Sequence, residues 1–270
     1  MHTTGKLDRR TLSIIASPTG FHVKQGLAAA EFSGFTAIEK PVSTSPQVAA
    51  TLRSVCESVG LIDHQLHKPE MMLLIRDSRR GLVPWHDVSE IDFQLMETSS
   101  THSRQLDHCV YDLAYHGLAC ALVSIRTALF EVSIQIDRAS QAVYTDGPDQ
   151  PKQMTAAMIQ GQFVTPKRAI PFRISVGKGL AEAKKGLTLC GRSGEVMRHV
   201  RLSESGYSAH LRILKRLLGP SPQSASLIGL EDSIQVVNAC AEALQVATTK
   251  PQYKFGTTPT WLQSRRLVLA

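Results

Sequence analysis

Apolar and polar positions in the first part of the chain follow the pattern of short buried strands joined by a helix. Leu12, Ile14 and Ile15 form one apolar run, residues 35–38 form a second, and a helix starting near His22 lies between them. Ser45 followed by Pro46 marks a further helix start, since serine caps a helix and proline is favoured at its first position. This order predicts a parallel sheet with crossover helices.

The middle of the chain contains both the helical and the strand-like spacing of apolar residues. Val48, Leu52, Val55 and Val59 recur at helical spacing before Gly60, whereas residues 87–97 alternate between polar and apolar. We therefore expect a helix from 46 to 59 closed by Gly60, a strand at 61–62, a helix from Pro69 to near Gly81, a strand at 87–97 and a helix at 106–125.

The second half changes to a run of strand-like segments separated by turn signals. They lie at residues 130–137, 154–164, 171–176, 187–190 and 196–200, before two helices at 207–218 and 230–246. Such a run predicts a mostly antiparallel open sheet, so the fold class is α/β followed by α+β. Because few helices follow, we expect one broad apolar face of this sheet to form a homodimer or higher oligomer. The tail from 251 to 270 is expected to be irregular.

The composition limits which classes of molecule the chain is expected to bind. The chain has 270 residues, 43% hydrophobic content and a net charge of +7, and no apolar run approaches the 18 residues of a membrane span. The basic residues are dispersed and aromatic content is 6%, which argues against nucleic acid and favours an anionic small molecule. Five scattered cysteines without a C-x-x-C pair are typical of reduced thiols, so we expect a cytoplasmic protein without membrane attachment.

Candidate chemistry collects at predicted strand ends and on one helix. Glu39 and Lys40 follow the second strand directly, and ligands bind at the carboxyl ends of strands in open α/β sheets. Asp112 and His116 are four residues apart on the helix predicted at 106–125, so a carboxylate there would orient an imidazole as a proton acceptor. The same spacing is also common for a surface pair.

These residues resemble the glucose–fructose oxidoreductase / inositol dehydrogenase (Gfo/Idh/MocA) family. The resemblance rests on Ala16-Ser17-Pro18 with His22, on Glu39-Lys40-Pro41 and on the D-x-x-x-H spacing of Asp112 and His116. It implies a Rossmann-like parallel sheet followed by a domain with a large, mostly antiparallel open sheet. It also implies proton transfer by Lys40, Asp112 and His116, and an NAD or NADP site formed by Ser17, Pro18, Thr19, His22, Glu39 and Lys40.

A second polar segment follows the predicted strand at 61–62. Asp63, His64 and Lys68 replace the N-H-R-F-like segment of that family and resemble the I-D-H-x-L-x-K run of glucose-6-phosphate dehydrogenases. We expect these three residues to contact a substrate, with a solvated turn as the alternative for the histidine. No H-E-x-x-H occurs, so no metal site is expected. Gly177-Lys178-Gly179 is interpreted as a hairpin turn with its lysine in solvent.

The cofactor site inferred in this way is incomplete, because no G-x-G-x-x-G occurs in the chain. We expect residues 1–62 to be the back half of an NAD(P)-binding domain, 63–250 a substrate-binding and dimerisation domain, and 251–270 a tail. The expected dissociation constant for a dinucleotide is therefore about 1 mM or weaker. A longer parent enzyme, a complementing partner chain or a pseudoenzyme would each explain the pattern.

Two functions follow from this sequence. The first is an NAD(P)-dependent oxidoreductase acting on a secondary hydroxyl of a sugar, sugar derivative or cyclitol. The alternative is a non-catalytic pseudoenzyme or assembly module that has lost dinucleotide binding.

Overall fold

The computed structural model describes residues 11–98, 109–145, 153–179, 183–203 and 205–250 and contains two sheets. A three-stranded sheet has the order β1-β2-β3, and a seven-stranded sheet has the order β10-β5-β6-β7-β4-β8-β9. All strands of the smaller sheet precede residue 63, and all strands of the larger sheet follow it. The tail from 251 to 270 and the basic residues Arg9 and Arg10 lie outside the described residues.

The smaller sheet is parallel throughout, as predicted. Its strands are β1 (Leu12–Ile15), β2 (Phe35–Glu39) and β3 (Val59–Ile62). Helix α1 (His22–Ala30) connects the first two strands, and α2 (Pro46–Ala50) with a 3-10 helix (Thr51–Ser58) connects the last two. The side chain of Ser45 caps α2 by accepting a hydrogen bond from the backbone N–H of Val48.

Gly60 does not close a helix, which corrects the expectation from the sequence. It lies within β3 and pairs with Ala37 of β2. A Cβ at this position would lie 2.3 Å from Cζ of Phe35, so the glycine is required by close packing within the sheet.

The larger sheet is mixed. Its strands are β4 (Glu90–Glu97), β5 (Ser133–Thr145), β6 (Gln153–Val164), β7 (Ala169–Lys178), β8 (Lys184–Cys190), β9 (Val196–Arg201) and β10 (Ala247–Lys250). Of its six strand pairings, four are antiparallel, whereas β4 pairs with β7 in parallel and β10 pairs with β5 in parallel. The predominantly antiparallel sheet expected from the sequence is confirmed, with these two parallel pairings added.

The remaining α-helices all follow the smaller sheet in the chain. They are α3 (Pro69–Arg79), α4 (Tyr115–Leu129), α5 (Gly206–Leu217) and α6 (Leu230–Val246). Residues 115–125 of α4 are all buried, which is typical of a helix enclosed by other elements on every side. Ile213 and Leu217 of α5 pack against Phe35, Ala37 and Ile62 of the smaller sheet, so the C-terminal helices return to it.

The expected broad apolar face of the larger sheet is wrong. Ile91, Phe93 and Leu95 of β4 point into the core, and the positions between them face the other side. That other side is mainly polar in the central strands, with Asp92, Gln94, Gln160, Gln162, Arg173 and Ser175. Arg173 and Asp92 form an ion pair across it at 3.0 Å. None of the helices in the described ranges is both long and apolar enough to span a bilayer.

Candidate functional site

A cavity of about 870 Å³ lies where the ends of β2 and β3 meet the beginning of the long central helix. Its size falls within the roughly 300–1,000 Å³ range of ligand pockets. It is lined by Ser17, Pro18, Thr19, Gly20, His22, Glu39, Lys40, Pro41, Thr44, His64, Tyr111, Asp112 and His210. All six residues expected to contact a dinucleotide therefore face one cavity, together with His64 and Asp112.

Lys40 and Asp112 meet at the wall of this cavity. Lys40 follows β2, and its Nζ donates to the backbone oxygen of Asp112 at 2.6 Å and to the Oδ1 atom of Asp112 at 2.9 Å. The lysine side chain is 7% exposed, whereas the aspartate side chain is 39% exposed. Two of the three N–H groups of the ammonium are thus directed at one residue, and the third remains available to a ligand.

Lys178 is a member of this site that the sequence analysis missed. It is the last residue of β7, and its Nζ donates to Oδ2 of Asp112. The interpretation of Gly177-Lys178-Gly179 as a turn with its lysine in solvent is therefore wrong. Burial opposes ionisation, yet Lys40 and Lys178 hold the pKa of Asp112 well below its usual range. Two lysines share one carboxylate, so the local charge is +1.

Asp112 and His116 do not form the predicted pair. Residues Cys109–Ala114 form a π-helical turn, and α4 begins only at Tyr115. A π turn changes the angular spacing along the helix, so the two side chains separate. Asp112 reaches the cavity, while the side chain of His116 is 2% exposed and lies beneath the cavity wall.

The carboxylate that holds His116 belongs to Asp63. Its Oδ1 lies 2.7 Å from Nδ1 of His116 and also accepts a hydrogen bond from the backbone N–H of Gln65. Burial alone would raise the pKa of Asp63, but His116 lowers it well below its usual range. Burial lowers the pKa of His116, an effect that Asp63 only partly offsets. The pair is therefore a neutral imidazole beside an ionised carboxylate, with Nδ1–H donating and Nε2 free of its proton.

His64 separates this pair from the cavity. Its ring contacts the ring of His116 edge-on, with the centroids 4.6 Å apart, and stacks on the ring of His210 at 5.2 Å. Burial, followed by the influence of His116, lowers the pKa of His64 to about 2. The ring is therefore uncharged at neutral pH. Among the described residues, Oδ2 of Asp63 and Nδ1 of His64 are both buried without a hydrogen-bond partner.

The turn before α1 forms the opposite wall of the cavity. The ring nitrogens of buried His22 lie 2.9 Å from the backbone oxygen of Pro41 and 2.5 Å from that of Ser17. This ring ties the turn after β1 to the segment after β2, which sets the width of the cavity. Lys68, in contrast, is 1% exposed and does not line the cavity, so the structure does not bring this expected substrate contact to it.

The residues present fit the nicotinamide end of a dinucleotide. A polar cavity of this size, lined by the ammonium of Lys40 and the carboxylates of Glu39 and Asp112, offers donors and acceptors to an amide and a ribose. The described residues form no glycine-rich turn to accept a pyrophosphate, and a Cβ added at Gly20 before α1 would meet nothing within 4 Å.

The fold is similar to that of several solved dehydrogenases and of a reductase. Myo-inositol dehydrogenase from Lactobacillus casei, in complex with NAD(H) and myo-inositol, matches with a TM-score of 0.63 and 12% identity over 87% of this chain and 75% of its own. Glucose-6-phosphate 1-dehydrogenase from Mycobacterium avium matches with a TM-score of 0.62 and 14% identity over 92% and 73%. Biliverdin reductase from Synechocystis, with biliverdin and NADP+, gives 0.59 and 14% over 88% and 79%.

No protein-family model and no curated protein sequence matches the chain. At 10–14% identity the structural matches establish the fold alone. The chain thus has the fold of a Rossmann-like sheet followed by the larger sheet of inositol dehydrogenases, and the resemblance inferred from Glu39-Lys40-Pro41 is confirmed at that level.

Proposed function

We propose that the chain is an NAD(P)-dependent oxidoreductase acting on a secondary hydroxyl of a sugar, sugar derivative or cyclitol. The observation that carries the proposal is the neutral His116 held by ionised Asp63 directly beneath a cavity that Lys40 and Asp112 line. The solved complexes of similar fold with NAD(H) and myo-inositol and with NADP+ support the same class of cofactor.

His116 is the proton acceptor in this proposal. The oxidation of a secondary alcohol removes a hydride from carbon and a proton from oxygen, and a bound nicotinamide supplies the hydride acceptor. The proton goes to Nε2 of His116, because Nδ1–H already donates to Asp63, and this transfer requires the His64 ring to move aside from its edge-on contact with His116. Asp63 then stabilises the imidazolium that forms, as a buried carboxylate does in other acid–base pairs.

Lys40 acts on the same oxygen. Its third N–H donates to the substrate hydroxyl and stabilises the negative charge that develops as the proton leaves. Asp112 holds the lysine in position, and Lys178 holds Asp112 by donating to its other carboxylate oxygen. In this proposal Asp112 therefore positions Lys40 and takes no proton. Ser17, Pro18, Thr19, His22 and Glu39 form the wall that receives the nicotinamide end of the cofactor.

A direct test is NAD(P)H formation by the full chain with a panel of polyols and sugars at millimolar NAD+ or NADP+. We expect activity with at least one cyclic polyol and a loss of about 100- to 10,000-fold for His116→Gln. His86→Gln is the matched control, because this exposed histidine also lies 3.0 Å from a carboxylate. Equal rates for wild type and His116→Gln would refute the assignment of the proton acceptor.

The second candidate is a non-catalytic binding or assembly module. Two observations favour it: His116 is almost fully buried beneath His64, and no glycine-rich phosphate-binding turn occurs in the chain. Calorimetric titration with NAD(H) and NADP(H) distinguishes the candidates. If the dinucleotide binds and Lys40→Met weakens this binding, the oxidoreductase is favoured. If no binding is detected at about 10 mM dinucleotide, the module is favoured.

We further propose that the larger sheet forms the contact between two copies of the chain. Because the central strands carry Gln94, Gln160, Gln162 and Arg173 on their outer side, the contact would be polar rather than apolar. Light scattering at tens of micromolar tests this proposal, and a monomer at all concentrations would contradict it.

A further inference from the structure

Three side chains with metal-binding chemistry meet at one end of the cavity. Glu39 ends β2, His64 follows β3 and His210 lies in α5, so three separate elements bring them together. Their candidate ligand atoms all lie within 4.8 Å of one another. The three residues all line the cavity.

The hydrogen bonds of His210 leave one nitrogen facing a carboxylate. Nδ1 lies 2.8 Å from the backbone oxygen of Gly206, which can only accept, so Nδ1 carries the proton. In the singly protonated form of the ring, Nε2 presents a lone pair to Oε1 of Glu39 at 2.9 Å. Two electron-rich atoms at that distance repel each other unless a cation lies between them or a second proton is present.

A histidine whose other nitrogen donates to a backbone carbonyl is the usual arrangement of a metal ligand. That bond fixes the tautomer and aims the lone pair at the metal. Two ligand atoms about 2.1 Å from a tetrahedral ion are about 3.4 Å apart, so the 2.9 Å separation from Glu39 would have to widen by about 0.5 Å to admit Zn²⁺ between them.

His64 can also present a ring nitrogen as a metal ligand. Its Nδ1 is buried without a partner among the described residues, and its Nε2 lies 3.1 Å from Nε2 of Gln65. The side-chain oxygen of Gln65 is also buried without a partner. Exchanging the two ends of this amide lets its oxygen accept a hydrogen bond from Nε2–H of His64, which leaves the lone pair on Nδ1.

We propose that Glu39, His64 and His210 bind one divalent transition-metal ion, with Zn²⁺ as the preferred ion. Two imidazoles and a carboxylate are a donor set suited to Zn²⁺, and calcium and magnesium prefer oxygen ligands alone. A small rotation of the His64 ring completes the set. The remaining coordination positions face the cavity and are open to water or to a ligand oxygen. This site lies beyond the oxidoreductase chemistry proposed above and revises the expectation that no metal is bound.

A second group of potential ligands, formed by Asp63, His64 and His116, is the weaker candidate. Asp63 and His116 already satisfy each other at 2.7 Å and are fully buried, so an ion there would have to break that bond. It would also lack open coordination positions. The two groups share only His64, so substitution of the other members distinguishes them.

The test is calorimetric titration of the untagged full chain, stripped with EDTA, with ZnCl₂ and with CoCl₂. We expect one site with a dissociation constant of about 1 µM or lower, and a loss of at least about 100-fold for both Glu39→Gln and His210→Ala. His116→Gln and His86→Gln should bind as wild type does. The Co²⁺ spectrum should show nitrogen and oxygen ligands, without thiolate charge-transfer bands from exposed Cys56.

Several results would overturn the proposal. The first two are the absence of Zn²⁺ binding at about 100 µM and wild-type affinity for Zn²⁺ in both Glu39→Gln and His210→Ala. The others are thiolate bands in the Co²⁺ spectrum and a loss of Zn²⁺ affinity in His116→Gln alone. Zn²⁺ should also raise the melting temperature of wild type and not that of Glu39→Gln, since a ligand that binds only the folded state stabilises it. A melting temperature is measured without any enzyme activity. A negative result for Zn²⁺ binding is therefore distinguishable from a failure of the proposed oxidoreductase function.

Discussion

Oδ1 of Asp63 lies 2.7 Å from Nδ1 of His116, and both side chains are buried below the floor of the cavity. The carboxylate comes from the end of a parallel strand, and the imidazole comes from the first turn of the central helix. Because the carboxylate stays ionised and the ring stays neutral, the pair holds an unprotonated ring nitrogen that can accept a proton, with a carboxylate beside it to stabilise the resulting charge.

Replacing Asp63 by asparagine should separate catalysis from folding. The amide oxygen still accepts from Nδ1–H of His116, so we expect the free energy of unfolding to change by less than about 2 kcal/mol. The amide cannot stabilise an imidazolium, so kcat/KM should fall about 100- to 10,000-fold. Urea denaturation and NAD(P)H progress curves measure the two effects. Unchanged kcat/KM in a folded Asp63→Asn variant would remove Asp63 from the mechanism.

The Asp112 network should affect stability at both ends of the pH range. The pKa of Asp112 is lowered from 3.8, so its contribution is complete above about pH 4 and is lost as pH falls further. The pKa of Lys178 is raised from 10.5 by the Asp112 hydrogen bond despite burial, so its contribution is complete below that pH and is lost above it.

Asp112→Asn should therefore destabilise the chain most between these limits. We expect the free energy of unfolding to fall by about 1–3 kcal/mol at pH 7. This is less than the roughly 3–5 kcal/mol lost when a fully buried pair is broken, because the carboxylate is partly exposed. Urea denaturation from pH 3 to pH 11, or about that range, measures it. Glu231→Gln, which breaks the exposed pair with Arg53, is the control and should cost under about 1 kcal/mol. Equal effects of the two variants would contradict the account.

Gly117 sets the distance between the central helix and the larger sheet. A Cβ at this position would lie 2.5 Å from Cδ1 of Phe93, a buried ring of β4. We expect Gly117→Ala to cost about 1–3 kcal/mol through overpacking and to displace the neighbouring His116. Gly20→Ala is the control, since its Cβ meets nothing within 4 Å. Chemical denaturation of both variants tests the difference, and a stable Gly117→Ala would show that the helix and sheet can move apart freely.

The central helix is also held to α6 through a buried hydrogen bond. The hydroxyl of Tyr115 lies 2.7 Å from the hydroxyl of Ser233, and both groups are fully buried. Tyr115→Phe leaves the serine without this partner, so we expect a loss of about 1–3 kcal/mol. The double variant Tyr115→Phe with Ser233→Ala should recover part of that loss. Simple additivity of the two single variants would contradict a direct coupling.

Lys40 and the cavity could be predicted from the sequence because strand ends in a parallel sheet converge on one edge. Glu39 and Lys40 follow a short apolar run, and Ser17 to Thr19 follow another, so both segments reach the same cavity. Asp112 could be placed on the covering helix from its position before a long apolar stretch.

The partners of these residues could not be predicted from spacing. The π-helical turn at Cys109–Ala114 separates Asp112 from His116, and no periodicity of apolar residues distinguishes five-residue from four-residue hydrogen bonding over one turn. Lys178 belongs to the site because the end of β7 contacts the π-helical turn, which brings together residues 66 positions apart in the sequence. His210 arrives from α5, more than 140 residues beyond the other two members of the proposed metal site.

The most direct test of the proposed function is the rate of NAD(P)H formation by wild type and by His116→Gln at saturating cyclic polyol and equal occupancy of cofactor. The account predicts NAD(P)H formation by wild type, a rate about 100-fold or more lower in the variant, and unchanged cofactor affinity. A variant that forms NAD(P)H as fast as wild type would contradict it.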